Sequence, residues 1–277
     1  MNVAMESERV ATELGTALHR CADCPETTWG EEWDIGSAAF WSFLAVSSDV
    51  RRHRLADSFT GEVVACMLGG AGVPGDVGVA AFRAMDQSGV LTMENMTPEV
   101  VAKVLHEPLD VPGRTRPVRY RFWRQRSSRI ANTVAFLRSS HGDPDLDPML
   151  AQDARDMRRR LLVLPGVGMK TASWVVRNYL DSDEVAIVDI HVTRAGVAAG
   201  VFCRKWRLPV DYALFESAFL SWAAAGGVRA SVLDAVIWRT MADLREVGDI
   251  VVGESRTSLS ATASSAARHS RRVKVLG

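Results

Sequence analysis

Two residues between Leu161 and His191 have the types that covalent catalysis requires. Lys170 stands near the predicted start of a helix, and Asp189 follows nineteen residues later, after an apolar run. A lysine amine is a nucleophile only when it is neutral, so its pKa must fall below the usual value of about 10.4. Partial burial and the positive end of a helix dipole both lower the pKa of an amine. We therefore predict that Lys170 is a nucleophile and that Asp189 is its carboxylate partner.

A glycine-rich turn directly precedes Lys170. Residues 164–168 read LPGVG and lie between two helical patterns. Pro165 stops the first helix, and the two glycines permit positive φ and a close approach of the backbone to a ligand. We predict that the second helix begins near Lys170, where its first backbone N–H groups have no partners inside the helix and suit a phosphate oxygen. The residues predicted to hold a nucleic-acid backbone, without reading its sequence, are Gly166, Val167 and Gly168.

Charge is strongly segregated along the chain, although the formal net charge is zero. No Asp or Glu occurs between Val111 and Gly142, and arginines alternate with aromatic residues in part of that stretch. The zero total argues mildly against a nucleic-acid partner, but phosphates respond to the local field. A solvated helix face is the alternative interpretation. The arginines that we predict to contact the phosphate backbone are Arg124, Arg126 and Arg129.

Composition is ordinary for a globular protein, with 47% hydrophobic and 24% charged residues among 277. No apolar stretch is long enough to cross a bilayer, and the N-terminus lacks the apolar centre of a secretory signal, so we expect a cytoplasmic, nucleoid-associated protein. Cys21 and Cys24 have C-x-x-C spacing, but no second pair completes a four-ligand zinc site. We interpret them as incidental thiols and predict neither a metal nor a cofactor.

Helical periodicity covers most of the chain, and strand-like alternation is rare and short. Breaks fall at clusters of Gly, Pro and Asp, and the sequence after Glu254 is a basic, Ser/Ala-rich tail typical of disorder. An all-α fold is therefore predicted. The helical segments include Gly61–Leu68, Val77–Met85, Pro98–Leu105, Ser127–Ser139, Ala154–Leu162, Lys170–Leu180, Val192–Gly200 and Leu233–Leu244.

The hairpin, the lysine and the aspartate occur together in one known group of proteins. Leu164–Ala172 and Val188–His191 resemble the helix-hairpin-helix DNA glycosylase superfamily, which includes endonuclease III and the 8-oxoguanine DNA glycosylases. There L-P-G-V-G-x-K-[TV]-A precedes V-D-x-H by about twenty residues. The resemblance implies two helical lobes with the active site in the cleft between them. The implied organisation is an N-terminal segment, 1–54, packing with the C-terminal lobe; a barrel-like lobe with the hairpin, 55–182; the C-terminal lobe, 183–252; and the tail, 253–277.

The resemblance also implies a reaction on double-stranded DNA that contains a damaged base, carried out by a monomer. Lys170 is expected to displace the base at C1′ of the sugar, and Asp189 to stabilise the charge that develops there. Relatives that only release the base lack this lysine, so combined glycosylase and apurinic-site lyase activity is expected. The alternatives are that Lys170 only binds phosphate, that Asp189 only caps a helix, and that the chain is a non-catalytic DNA-binding protein.

Three further residues fit the base pocket of 8-oxoguanine glycosylases by spacing. Trp174 lies one turn after the lysine, and Asp234 and Trp238 lie one turn apart on a late helix. By resemblance the tryptophans are the two walls, and Asp234 accepts from the N1–H and N2–H of a guanine. Core tryptophans and another target, such as an oxidised pyrimidine or a modified phage base, are the alternatives. Where the family often has a Gln that fills the gap left by the flipped base, this chain has Ala71.

Overall fold

The computed structural model describes residues 29–50, 53–70 and 72–244. Within these ranges the chain forms ten α-helices, two short 3-10 helices and an isolated antiparallel bridge between Leu109 and Val118. The all-α prediction is confirmed. The α-helices are α1 (Ala38–Val46), α2 (Phe59–Leu68), α3 (Gly75–Gln87), α4 (Pro98–His106), α5 (Trp123–Ser139), α6 (Ala154–Leu161), α7 (Met169–Leu180), α8 (Ile190–Ala198), α9 (Tyr212–Ala225) and α10 (Ala230–Leu244).

Several helices begin at a residue whose side chain accepts from the first turn. Ser58 caps α2 by accepting from the N–H of Gly61, and Asp153 caps α6 by accepting from the N–H of Asp156. Such caps satisfy backbone donors that have no partner inside the helix. Short polar residues before apolar periodicity therefore set where these helices start.

The buried side chains form two hydrophobic clusters. The first is built from α2 to α7 and includes fully buried Met67, Leu105 and Ile130. The second combines α1 with α8, α9 and α10, and buries Trp41 and Trp222. Helix α7, which carries Lys170, packs on the first cluster, whereas α8 packs into the second. The boundaries given above for the lobes stay a prediction.

A buried carboxylate connects α2 with α7. Glu62 is fully buried and accepts from the backbone N–H groups of Leu55 and Ala56, at 2.8 and 2.9 Å. Its other oxygen accepts from Asn178 at 2.6 Å. A buried charge is tolerated when several donors surround it. This network fixes the C-terminal half of the helix that bears Lys170.

The N-terminal segment with Cys21 and Cys24, Ala71, and the tail after residue 252 lie outside the described residues, so the predictions about them stay predictions. In the part that the structure describes, no single helix is long and apolar enough to span a membrane. Tyr212–Ala225 and Ala230–Ala242 pass on length and composition only as a pair, across a bend of 103°.

Candidate active site

The predicted hairpin joins α6 to α7. The N–H of Val167 donates to the carbonyl of Leu164 at 3.1 Å, and Gly166 has a φ of 81°, in the region that favours glycine. Gly168 differs from the prediction, because its φ of −105° is extended backbone that any residue adopts. It is the N-cap of α7, makes no side-chain cap, and a Cβ there would meet nothing within 4 Å. The start of α7 therefore offers backbone donors beside open space, as a phosphate site requires.

Helix α5 packs against this hairpin. The hydroxyl of Thr133 donates to the carbonyl of Pro165 at 3.1 Å, and the aliphatic part of Arg129 packs against Gly166. Arg129, which we predict to contact the phosphate backbone of DNA, thus lies at the hairpin. Arg124 is exposed and its guanidinium lies 4.9 Å from the centre of the Trp123 ring.

Lys170 occupies the second position of α7 and is partly buried. Burial is the main cause that lowers its pKa, while the nearby carboxylate of Asp189 raises it and Arg126 lowers it. The Nζ atom lies 5.4 Å from the centre of the Trp174 ring. Burial therefore outweighs the attraction of Asp189, and the amine carries its proton less firmly than an exposed lysine.

Asp189 is the N-cap of α8, as predicted. One of its oxygens accepts from the N–H groups of His191 and Val192, at 2.8 and 2.9 Å. Among the described residues it forms no ion pair with Lys170 within 4.0 Å, although the two charges interact. The structure thus brings the lysine and the carboxylate close enough to interact electrostatically, without an ion pair between them.

The segment before Asp189 is held by α9. Residues 185–188 are buried, and the hydroxyl of Tyr212 donates to the carbonyl of Ala186 and accepts from the N–H of Val188, at 2.7 and 3.2 Å. Glu216, one turn further along α9, accepts from the N–H of Ala186 at 2.9 Å and forms an ion pair with Arg158. Tyr212 and Glu216 of α9 therefore hold in place the segment that leads to Asp189.

Arg126, which we predict to contact the phosphate backbone of DNA, lies beside Lys170. Its Nη2 donates to the carbonyl of Gly69 at 3.3 Å. A Cβ at Gly70 would be 3.9 Å from this Nη2 and 3.8 Å from the Nζ of Lys170. The positive charge of Arg126 near the Lys170 amine lowers the pKa of that amine.

Replacement of Arg126 by Gln should move the pH dependence of the reaction. Without the guanidinium, the pKa of Lys170 rises, so the acidic limb of a single-turnover rate profile shifts to higher pH. Arg126→Lys keeps the charge and should leave the limb near its original position. If the acidic limb of the pH–rate profile stays in place in Arg126→Gln, Arg126 does not lower the pKa of Lys170 in the reaction.

Both predicted wall tryptophans lie against glycines that flank the connection between α2 and α3. The described residues of this connection, 69–70 and 72–74, are called here the glycine-rich loop. A Cβ at Gly69 would lie 2.7 Å from Cη2 of Trp174, and a Cβ at Gly75, the first residue of α3, would lie 2.6 Å from Cη2 of Trp238. Trp174 is partly buried and Trp238 is 43% exposed, so neither is a buried core residue. Trp238 also meets the ring of His191, with centroids 6.4 Å apart.

Alanine at Gly75 should therefore displace Trp238. The colliding atoms are the far end of a half-exposed side chain, so we expect a loss of stability below about 1 kcal/mol. Base release should fall about tenfold, as one aromatic contact is worth about 1–3 kcal/mol. In a Trp238→Ala background, Gly75→Ala should add nothing, since the colliding ring is absent. Additive losses in single-turnover rates would show that Gly75 acts independently of the indole.

Asp234 is only 3% exposed. Its Oδ1 accepts from Arg177 at 2.9 Å, and the backbone N–H of Ile187 is close enough to the carboxylate to lower its pKa. Its Oδ2 is buried and, among the described residues, has no hydrogen bond of good geometry. Burial raises the pKa of Asp234 to about 7, against the opposing effect of the guanidinium. Asp189 is close enough to raise this pKa too, which places Asp234 near the carboxylate of Asp189.

Arg177 belongs to this group, although its sequence position did not lead us to predict it. It follows Lys170 and Trp174 at positions i, i+4 and i+7, so all three lie on one face of α7. The ion pair with Asp234 joins this face to α10. The helical spacing alone could have indicated Arg177, but its partner could not be read from spacing.

The comparisons with known proteins agree with this architecture. The sequence model of the 8-oxoguanine DNA glycosylase family matches residues 59–228. The crystal structure of the 8-oxoguanine DNA glycosylase of Methanocaldococcus jannaschii matches with a TM-score of 0.50 and 22% identity, over 66% of this chain and 77% of that chain. At that identity the structural match bears on the fold alone. A search of curated proteins found no significant match.

The chain is a helix-hairpin-helix DNA glycosylase, as the resemblance implied, and DNA is its substrate. Within that superfamily it belongs to the 8-oxoguanine DNA glycosylase family, whose model covers more than half of its length.

Proposed function

We propose that this enzyme removes 8-oxoguanine from duplex DNA and then cleaves the abasic strand, with Lys170 as the nucleophile of both steps. The observation that carries the proposal is the partly buried amine of Lys170, whose pKa is lowered by burial and which interacts with the carboxylate of Asp189. A phosphate-binding lysine gains nothing from a lowered pKa, because only the ammonium attracts an anion. A nucleophile requires the neutral form.

In the proposed first step the target nucleotide leaves the duplex and enters the site. The lone pair of the Lys170 Nζ attacks C1′, the N-glycosidic bond breaks, and the bonding electrons leave with the base. Two backbone N–H groups, of His191 and Val192, fix the orientation of the Asp189 side chain. It stabilises the positive charge that develops on the sugar and accepts the proton that the amine loses.

In the second step the sugar ring opens and the amine forms a Schiff base with C1′. Loss of a proton from C2′ then expels the 3′-phosphate, which breaks the strand. The protonated imine draws electrons from C2′, so the same lysine that displaces the base promotes the elimination.

Base selection is assigned to the two tryptophans and Asp234. A purine between Trp174 and Trp238 would stack on both indoles. The Oδ2 of Asp234 has no hydrogen bond of good geometry among the described residues and is an acceptor for the N1–H and N2–H of guanine. A buried acceptor without a good hydrogen bond costs about 1–3 kcal/mol, which a donor on the substrate would recover.

A lesion panel with borohydride trapping tests the proposal. Duplexes carrying 8-oxoguanine, 8-oxohypoxanthine, an oxidised pyrimidine or no lesion are incubated with the enzyme, and base release and covalent adduct are measured. We expect 8-oxoguanine to be released fastest and trapped most. Preference for an oxidised pyrimidine would reject the assigned base, and absence of any adduct would reject the lyase.

Asp234→Asn should change selectivity among these substrates. Wild type should prefer 8-oxoguanine over 8-oxohypoxanthine, which lacks the N2–H donor, by about 10- to 100-fold. An Asn at 234 also breaks the ion pair with Arg177, so overall activity and melting temperature fall. The ratio of the two single-turnover rates is independent of the folded fraction. A ratio that persists in Asp234→Asn would remove this carboxylate from base recognition.

A further inference from the structure

A basic loop, residues 107–122, joins α4 to α5. Leu109 and Val118 pair across it through two backbone hydrogen bonds of 2.9 Å. The N–H of Arg114 donates to the carbonyl of Val111 at 3.0 Å, and Gly113 turns the chain with a φ of 81°. After Asp110 the loop contains no acidic residue. The basic loop is thus an ordered turn, with arginines at its tip and along the segment that leads back to α5.

This basic loop contacts the glycine-rich loop and the helix ends on both sides of it, the end of α2 and the start of α3. The hydroxyl of Tyr120 donates to the carbonyl of Leu68 at 2.7 Å, and the ring of Phe122 lies 3.3 Å from where a Cβ of Gly72 would be. Arg114 forms a two-pronged ion pair with Asp76, at 2.8 and 3.0 Å. The basic loop therefore runs beside the loop whose ends contact both pocket tryptophans.

Helix α5 fixes the order of these features along the surface. Phe122, Arg126, Arg129 and Thr133 are spaced i, i+4, i+7 and i+11, so they share one helical face. Phe122 contacts Gly72, and Arg126 contacts the carbonyl of Gly69 beside the lysine. Arg129 and Thr133 contact two adjacent residues of the hairpin turn, Gly166 and Pro165. The lysine thus lies between the basic loop and the hairpin.

The length of α5 between Phe122 and Thr133 can be compared with the rise per nucleotide of a DNA strand. Eleven residues of helix, from Phe122 to Thr133, span about 16 Å. One strand of a duplex advances about 3.4 Å per nucleotide, so this face covers about five nucleotides. A duplex that lies along this face with its target nucleotide at Lys170 would extend past the basic loop on one side and past the helix-hairpin-helix turn on the other.

The basic loop has four exposed arginines: Arg114, Arg116, Arg119 and Arg121. The guanidinium of Arg121 lies 5.2 Å from the centre of the Phe122 ring, which holds its plane near the protein surface. Arg114 is already paired with Asp76. Guanidinium groups bind phosphate oxygens in a two-pronged geometry, and nearby carboxylates that would compete are absent from the loop sequence after Asp110.

We propose that the basic loop, mainly through Arg119 and Arg121, binds phosphates of the duplex on the side of the target nucleotide opposite to the side held by the hairpin. The inference rests on the proposed function only in taking Lys170 as the position of the target nucleotide. It assigns the loop to backbone binding without sequence reading.

The test measures binding to duplexes that carry a tetrahydrofuran abasic analogue, which cannot undergo base release. Two duplexes of equal length have the long flank on one side or on the other side of the analogue. Arg119→Gln/Arg121→Gln should lower the salt slope of the binding constant by about 2, that is about 1 for each phosphate that no longer pairs with an arginine. Affinity should fall about tenfold at moderate salt, on only one of the two duplexes.

Three controls separate charge, position and folding. Arg83→Gln/Arg204→Gln removes two exposed arginines elsewhere and should leave the salt slope nearly unchanged. Arg119→Lys/Arg121→Lys keeps both charges and should retain most of the affinity. Gly168→Glu, at a hairpin position with open space, should weaken the opposite duplex.

Two results overturn the proposal. One is a salt slope in the Gln pair equal to that of the control pair. The other is an equal loss on both duplexes, which would place the loop on no particular side. Because no base is released in this measurement, a failure of the proposed glycosylase chemistry gives a different result, namely no product from an 8-oxoguanine duplex with DNA binding intact.

Discussion

Lys170→Ala should abolish borohydride trapping and lower the rate of base release by at least about 10³-fold. The substitution removes the only group proposed to attack C1′. The expected loss lies in the chemical step, so DNA affinity for the abasic analogue should fall by no more than about tenfold. Single-turnover base release and adduct formation on an 8-oxoguanine duplex measure the effect.

The matched control is Lys103→Ala, which removes an exposed lysine from α4. It should leave trapping and rate unchanged. An adduct that persists in Lys170→Ala would assign the nucleophile to another amine. Base release that persists without an adduct would instead make water the nucleophile and confine the lysine to the elimination step.

Asp189→Asn should lower the rate of base release by about 10²- to 10³-fold while leaving the fold almost as stable as before. Asn and Asp are comparable N-caps, so α8 keeps its start when the charge is removed. Asp189→Ala removes the cap as well, and should cost about 1 kcal/mol more of unfolding free energy. The two variants together separate catalysis from capping.

Asp153→Ala provides the comparison for a cap without a proposed catalytic role, because Asp153 caps α6. It should lose a similar amount of stability and retain most of its activity. If Asp189→Asn were as active as wild type and only Asp189→Ala were impaired, the carboxylate would be structural and the proposed stabilisation of the sugar cation would be wrong.

The local sequence determined the helices that have one apolar face, and it determined the hairpin. Pro165 and a glycine at 166 dictate the turn because few other residues stop a helix and then adopt positive φ. Asp189 could be predicted as an N-cap because it follows an apolar run and precedes helical periodicity. These features depend on neighbours within a few positions, which is the range over which sequence patterns act.

The helices α1 and α9 were not predicted, and their composition gives the reason. Both carry apolar or small residues around most of their circumference, and their buried residues include Trp41 and Trp222. A helix buried on several sides lacks the contrast between faces on which periodicity depends. Only packing within the second cluster shows where such segments belong.

Tertiary structure alone decided the surroundings of the candidate site. The sequence grouped Arg126 with Arg124 and Arg129 by charge, yet the fold sets Arg126 beside Lys170 and Arg129 against the hairpin. It also gave Asp234 a partner 57 residues earlier in the chain, Arg177. Electrostatics and packing depend on distances in space, and a side chain's partner across two helices leaves no trace in local spacing.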